Sequence, residues 1–112
     1  MKRKHNSNEG IITEYKNGNI TIKFYPNNVS DDQLLELSEL LFWNDCYIIG
    51  DQFCLSNYDM GCLIYNTYSD LCYILSFSQF EDAYKTGKTM RLYARVPDET
   101  DREIINAELY ND

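Results

Sequence analysis

The sequence predicts an α+β fold: a mostly antiparallel sheet that starts with an N-terminal β-hairpin and carries about three helices. Three observations carry that expectation. Asn17-Gly18 joins two alternating strands, and both residues tolerate the positive φ of a type I′ turn. Short β-prone runs separated by turn-rich pieces fill the middle of the chain. Three segments begin with a hydroxyl residue followed three positions later by Gln or Glu, the signature of a capped helix start. At 112 residues one domain is expected, with residues 10–112 as its body. Residues 1–9 are polar after Met1, hold Lys2, Arg3 and Lys4, and read as a disordered basic tail.

A two-residue loop at Asn17-Gly18 pairs Lys16 with Asn19, Tyr15 with Ile20, Thr13 with Ile22 and Ile11 with Phe24. One face of the hairpin is then Ile11, Thr13, Tyr15, Ile20, Ile22 and Phe24, which suits a core. Glu14, Lys16, Thr21 and Lys23 fall on the other face.

A helix follows, with Ser30 as N-cap, Gln33 closing a capping box, and Val29 and Leu34 spaced for a hydrophobic staple. Asp31 and Asp32 suit the positive end of its dipole. At about 100° per residue, Leu34, Leu37 and Leu41 share one side, and Asp32, Glu36, Glu39 and Trp43 lie opposite.

Four β-prone runs come next, at 47–49, 52–55, 62–66 and 71–77. Turns are expected at Gly50-Asp51, at 56–61 and at 66–70. A second helix is expected over 79–86, capped by Ser78 with Glu81 at its third position and stopped by Gly87. Residues 89–96 alternate: Met90, Leu92, Ala94 and Val96 face in, while Thr89, Arg91, Tyr93 and Arg95 face out. A last helix over about 98–109 has Thr100 and Glu103 as its capping box.

Charge is distributed unevenly. Between Lys23 and Lys85 lie 61 residues with ten carboxylates and no Lys, Arg or His. An ordinary stretch of that length holds about seven cations. Residues 10–112 carry 7 basic and 17 acidic residues, a net of −10. Net charge bears on partners rather than on fold. No apolar run follows the basic start and none is long enough to span a membrane, so a cytoplasmic protein is expected. The cysteines at 46, 54, 62 and 72 have no short metal-binding spacing and sit among apolar residues. They read as four reduced, buried thiols, with two disulfides in a secreted form as the alternative. Asn is common (11) and Ala scarce (3), as in an AT-rich coding source.

Enzyme chemistry is not expected. The single histidine, His5, lies in the tail, where nothing holds it beside a nucleophile. No phosphate loop, zinc-protease or dinucleotide motif occurs. Asp98, Glu99, Asp101 and Glu103 have the right chemistry for Mg²⁺, but acids at a helix start more simply stabilise it. No cofactor and no metal site are therefore expected.

Two kinds of contact surface remain. Arg91, Tyr93 and Arg95 share a strand face that suits phosphates and a stacked base. A body of net −10 repels a polyanion, so direct nucleic-acid binding is disfavoured, and this strip is a secondary contact or docks on an acidic patch of this or a second copy. That leaves a homodimer open. The other surface is acidic and rich in tyrosine, of which the chain has ten. Tyrosine with Ser, Asn and Asp in turns has the composition of an adaptable binding loop. The candidate partner-binding residues are Asp32, Glu36, Glu39, Trp43, Asp45, Asp51, Tyr58, Asp59, Tyr65, Tyr68 and Asp70. Such a surface suits a basic protein. Asp32, Glu36 and Glu39 rise about 6 and 4.5 Å from one another along a helix. DNA offers one charge per roughly 3.4 Å of strand, so a DNA mimic needs a second row of carboxylates from the loops.

The charge gap, the tyrosine content and the composition resemble small, acidic inhibitors encoded by phages and mobile elements, of the anti-CRISPR and anti-restriction type. The resemblance is one of profile and carries over no residue roles. It implies a protein-binding inhibitor that blocks a cationic nucleic-acid-handling enzyme or its guide complex, such as a CRISPR effector nuclease. An immunity protein or antitoxin that neutralises a basic toxin is one alternative, and a housekeeping interaction module is another.

Overall fold

The computed structural model describes residues 11–24, 33–56 and 59–110, with the side chains at 12, 50–53 and 56 outside that description. The basic tail, Val29, Ser30, Asp31, Asp32 and Tyr58 fall outside the described residues. In chain order the elements are β1 (Ile11–Lys16), β2 (Asn19–Phe24), α1 (Gln33–Phe42), β3 (Cys46–Ser56), β4 (Asp59–Asn66), β5 (Leu71–Ser76), α2 (Phe77–Thr86), β6 (Met90–Leu92) and α3 (Glu99–Ile105). A single π-helical turn, Asn106–Tyr110, continues α3. The fold is α+β, and every strand pair within its sheets is antiparallel.

The N-terminal hairpin has the register that Asn17-Gly18 predicts, from Ile11 opposite Phe24 to Lys16 opposite Asn19. Both turn residues adopt positive φ, 56° and 80°. β6 adds to the hairpin's far side to give the sheet β1-β2-β6, and β3-β4-β5 forms a second sheet. The two are joined where Cys72 and Arg95 exchange backbone hydrogen bonds of 2.9 and 3.0 Å.

The second sheet lies between two apolar layers. Its strands alternate, so Cys46, Cys62, Ile64, Tyr73 and Leu75 face the hairpin sheet with α1 and α2, where Ile11, Ile20, Ile22, Phe24, Leu37, Leu41 and Phe80 complete the main core. Ile49, Leu63, Tyr65 and Cys72 face the other way, onto Ile104 and Ile105 of α3 and Leu109 of the π turn. β4 is therefore buried on both faces over Gly61–Asn66, which explains its unbroken apolar run in place of an alternating one.

Several boundaries differ from the sequence reading, each for a local reason. Gly50-Asp51 is not a turn: the runs around it form one strand, β3, whose register with β4 shifts between Ile49 and Phe53. The irregularity absorbs the glycine that a sequence reader takes for a chain reversal. α2 starts earlier than expected, and its N-cap is Ser76, whose hydroxyl accepts from the Gln79 N–H at 3.2 Å. Ser78 instead donates to Asp59 at 2.9 Å. Gly87 ends α2 as expected, at φ 73°. The strand expected to run to Val96 stops at Leu92, because Ala94 N–H donates to the Asn19 side chain and Arg95 crosses to the second sheet. Val96 is consequently exposed rather than inward. α3 is capped by Asp98 with Asp101, not by Thr100 with Glu103: Asp101 N–H donates to Asp98 Oδ1 at 2.8 Å and Asp98 N–H to Asp101 Oδ2 at 3.1 Å. Of the cysteines, Cys46, Cys62 and Cys72 are buried and Cys54 is exposed; none forms a disulfide. Among the described residues no helix is long and apolar enough to cross a membrane.

Candidate functional site

Helix α1 is apolar on both sides. Six of its ten residues are Leu or Phe. Leu37, Leu40 and Leu41 are buried in the core, with Leu34 packed against them. Leu35 and Phe42, two turns apart on the opposite side, are 62% and 54% exposed. Trp43, one residue past the helix end, is 77% exposed. A helix that is hydrophobic all round normally lies inside a larger structure. Here Leu35, Phe42 and Trp43 are exposed, so α1 presents an apolar surface that the described elements do not cover.

The acidic stripe expected on this helix takes a different form. Glu39 is exposed, between Leu35 and Phe42 on the outer face, and Glu36 is half-buried on the flank. The centre of the outer face is apolar with a carboxylate inserted, rather than a row of carboxylates.

Beyond the helix the chain turns sharply. Asn44 N–H and Asp45 N–H donate to the carbonyls of Leu41 and Phe42, and Asp45 takes a left-handed φ of 62°. This turn is bonded to the β4–β5 turn. Thr67 N–H donates to the Asp45 carbonyl at 2.9 Å, and the Asn66 side chain donates to the Asn44 carbonyl at 3.2 Å. Asn66 is 7% exposed, and its side-chain oxygen accepts from the N–H groups of Tyr68 and Ser69. One buried amide thus shapes the loop and fixes it to the end of α1. Tyr68, at the loop tip, is 88% exposed. Phe42 meets Trp43 and Tyr47 edge to face, with centroids 6.0 and 5.8 Å apart. The result is a contiguous aromatic end to α1, beside a second loop that offers Tyr68 and flanked by the exposed Asp45.

The remaining candidates divide between elsewhere in the fold and internal bonding. Tyr65 lies in β4, is 5% exposed, and donates its hydroxyl to Asp70 at 2.7 Å. That bond to a carboxylate, with burial, pushes Tyr65 up to about 12. Asp70 also accepts from both terminal guanidinium nitrogens of Arg102, at 2.8 and 2.9 Å. The Arg102 fork and the Tyr65 hydroxyl hold Asp70 down at about 2. Tyr65 and Asp70 therefore fix α3 to the β4–β5 turn. Asp59 accepts the hydroxyls of Ser76 and Ser78 and sits at the opposite end of β4 from Asn66, about 23 Å away at strand rise. It does not join the surface at Asp45 and Tyr68. Asp51 lies within β3.

Compared with models of known families, with curated proteins and with solved structures, the chain matches none.

The basic strip is divided as well. Arg91 is exposed in β6, and Tyr93 is 67% exposed beyond it. Arg95 points elsewhere, donating to the buried Asp101 at 2.7 Å, so the three do not share a strand face. Burial alone would raise Asp101; the Asp98 N–H and Arg95 guanidinium outweigh it and hold the carboxyl below its ordinary range. Asp98 and Asp101 are thus occupied in capping α3, and no group of three His, Cys, Asp or Glu among the described residues is placed to hold a metal ion. Among the described residues, five of the seven basic residues from Lys16 onward form ion pairs: Lys23–Glu14, Lys85–Glu81, Lys88–Asp82, Arg95–Asp101 and Arg102–Asp70.

Sequence reasoning missed Leu35, Phe42, Tyr47 and Asn66. The signal for the first two was present: with six Leu or Phe in ten residues, α1 has more apolar side chains than one core-facing stripe uses. Asn66 carries no such signal, because its role depends on Asn44, 22 residues away in sequence.

Proposed function

We propose that this protein is a protein-binding inhibitor that seats the outer face of α1 and the adjoining Trp43–Asp45 and β4–β5 turns against a cationic nucleic-acid-handling enzyme, in the manner of an anti-CRISPR protein acting in the cytoplasm. The observation that carries it is the exposure of Leu35, Phe42 and Trp43 on a helix whose other side is already buried. Exposed aromatic and aliphatic groups of this size mark contact sites, and Trp and Tyr dominate binding energy where they occur. A cationic partner is favoured because the acids of the body outnumber its basic residues, and at least five of those basic residues are already paired among the described residues. Reduced thiols fit a reducing compartment.

Contact through apolar groups needs no replica of a phosphate row. It supports an inhibitor that grips protein, with its acids steering the encounter. The test is a nucleic-acid cleavage assay with purified effector complexes, titrated with this protein. Wild type is expected to block cleavage stoichiometrically. The Leu35→Ala, Phe42→Ala, Trp43→Ala triple variant should still fold, with a melting temperature lowered only by the loss of the Phe42 ring contacts, and weaken inhibition by about 30-fold or more. Equal inhibition by both proteins removes α1 from the contact, and no inhibition by wild type overturns the reading.

A further inference from the structure

We propose that the aromatic end of α1 is an arginine-binding site: a partner guanidinium stacks on the Trp43 indole, beside the loop that carries Tyr68, while the Asp45 carboxylate receives its N–H groups. This rests on the reading above that the same surface docks a cationic partner. The geometry favours it in four ways. Trp43 meets Phe42 at an interplanar angle of 72°, an edge contact, and remains 77% exposed, so indole surface is left open to solvent. The negative face of an indole is the strongest aromatic receptor for a cation. Asp45 follows two residues later on an ordered turn, with its backbone bonded to Phe42 and Thr67 and its carboxylate exposed. Tyr68 stands one residue beyond the Thr67–Asp45 bond and is 88% exposed. Among the described residues no Lys or Arg stacks on Phe42, Trp43, Tyr47 or Tyr68.

The choice of arginine over lysine follows from shape. A guanidinium is planar and weakly hydrated, and it can stack on a ring while its edge forks onto a carboxylate. An ammonium is a compact, strongly hydrated charge that gains less from a ring face. Phe42, held edge-on by both Trp43 and Tyr47, braces the platform so that stacking requires little reordering.

Trp43 is the single tryptophan, so its fluorescence reports on this site directly. The test titrates the full chain with oligo-arginine and with oligo-lysine of equal length, at physiological salt. Oligo-arginine should change Trp43 emission and bind about 5-fold or more tighter than oligo-lysine, the margin expected of a stacking contact. Asp45→Asn and Tyr68→Ala, which both retain the tryptophan, should each reduce that margin. Equal binding of the two peptides would reduce the site to net charge and overturn the proposal. A change in Trp43 emission on diluting the protein alone would assign the surface to a second copy and overturn it too. Loss of the arginine preference with nuclease inhibition intact removes only the clamp. Failure of inhibition with the preference intact removes only the nuclease as partner.

Discussion

At Gly61 a methyl group would collide with the Leu75 carbonyl oxygen and lie 2.6 Å from Leu55 Cδ1. The first contact is with backbone, which cannot rotate away. Gly61→Ala should therefore destabilise the fold by about 1–3 kcal/mol, read as a lower urea midpoint with the slope unchanged. Asp101 is a different kind of position. It is 4% exposed, caps α3 and pairs with Arg95. Asp101→Ala removes a cap and a charge-assisted bond and should cost about 2 kcal/mol in chemical denaturation, since Arg95 keeps partial access to water. Single residues were unevenly legible. Asn17-Gly18 was readable because its turn chemistry is local. Tyr65 and Asp70 were read as contact residues because nothing adjacent in sequence shows that Arg102, thirty-two residues on, claims the carboxylate. The thiols offer a direct check: Cys54 should react quickly with an aromatic disulfide reagent, and Cys46, Cys62 and Cys72 only on unfolding. Rapid modification of more than one thiol in native protein would contradict the burial described above.

Among elements, α3 depends most on charge. Its attachment rests on Arg102 with Asp70 and Arg95 with Asp101, beside the apolar contacts of Ile104 and Ile105. Both carboxylates titrate below their ordinary value of 3.8 in the folded protein, Asp70 at about 2. The unfolded chain therefore takes up protons first as pH falls. The stabilisation is complete above the ordinary carboxylate range and is lost between there and about pH 2. Circular dichroism should show acid loss of structure concentrated in that window. The Asp70→Asn, Asp101→Asn variant should start less stable at neutral pH and decline less steeply with acid; an equally steep decline would place the sensitivity in other carboxylates. The helices also show where pattern reading fails. The leucine spacing of α1 marks it as a helix, but Glu36 and Glu39 mask the apolar character that Leu35 and Phe42 give its outer face. α2 and α3 are legible as elements, while their caps lie two residues earlier than expected: Ser76 and Ser78 offer the same hydroxyl and both donate to Asp59, and only the Gln79 N–H on Ser76 Oγ marks the cap of α2. The joining of two β runs into β3 was hidden by Gly50-Asp51, which carries turn chemistry inside a strand irregularity.

For the molecule as a whole, the charge gap sorts into two uses. Some of its acids are consumed at home, as Asp70, Glu81 and Asp82 are by Arg102, Lys85 and Lys88. Others, such as Asp45, stay exposed near the aromatic end of α1. Complementary potentials act mainly on encounter, so salt should slow association with a cationic partner far more than it speeds dissociation, as stopped-flow mixing would show. A predominant effect on dissociation would argue for buried ion pairs in the contact instead. β4, enclosed on both faces, has a further consequence for how the molecule opens. The N-terminal hairpin, with α1, α2 and β6, covers one of its faces, and the C-terminal helix covers the other. Detaching α3 wets Leu63 and Tyr65, while lifting the hairpin wets Cys62 and Ile64 on the same strand. Neither end can open far without loosening the other, so amide hydrogens of β4 should exchange only through global unfolding, and the two ends of the chain should melt in a single transition.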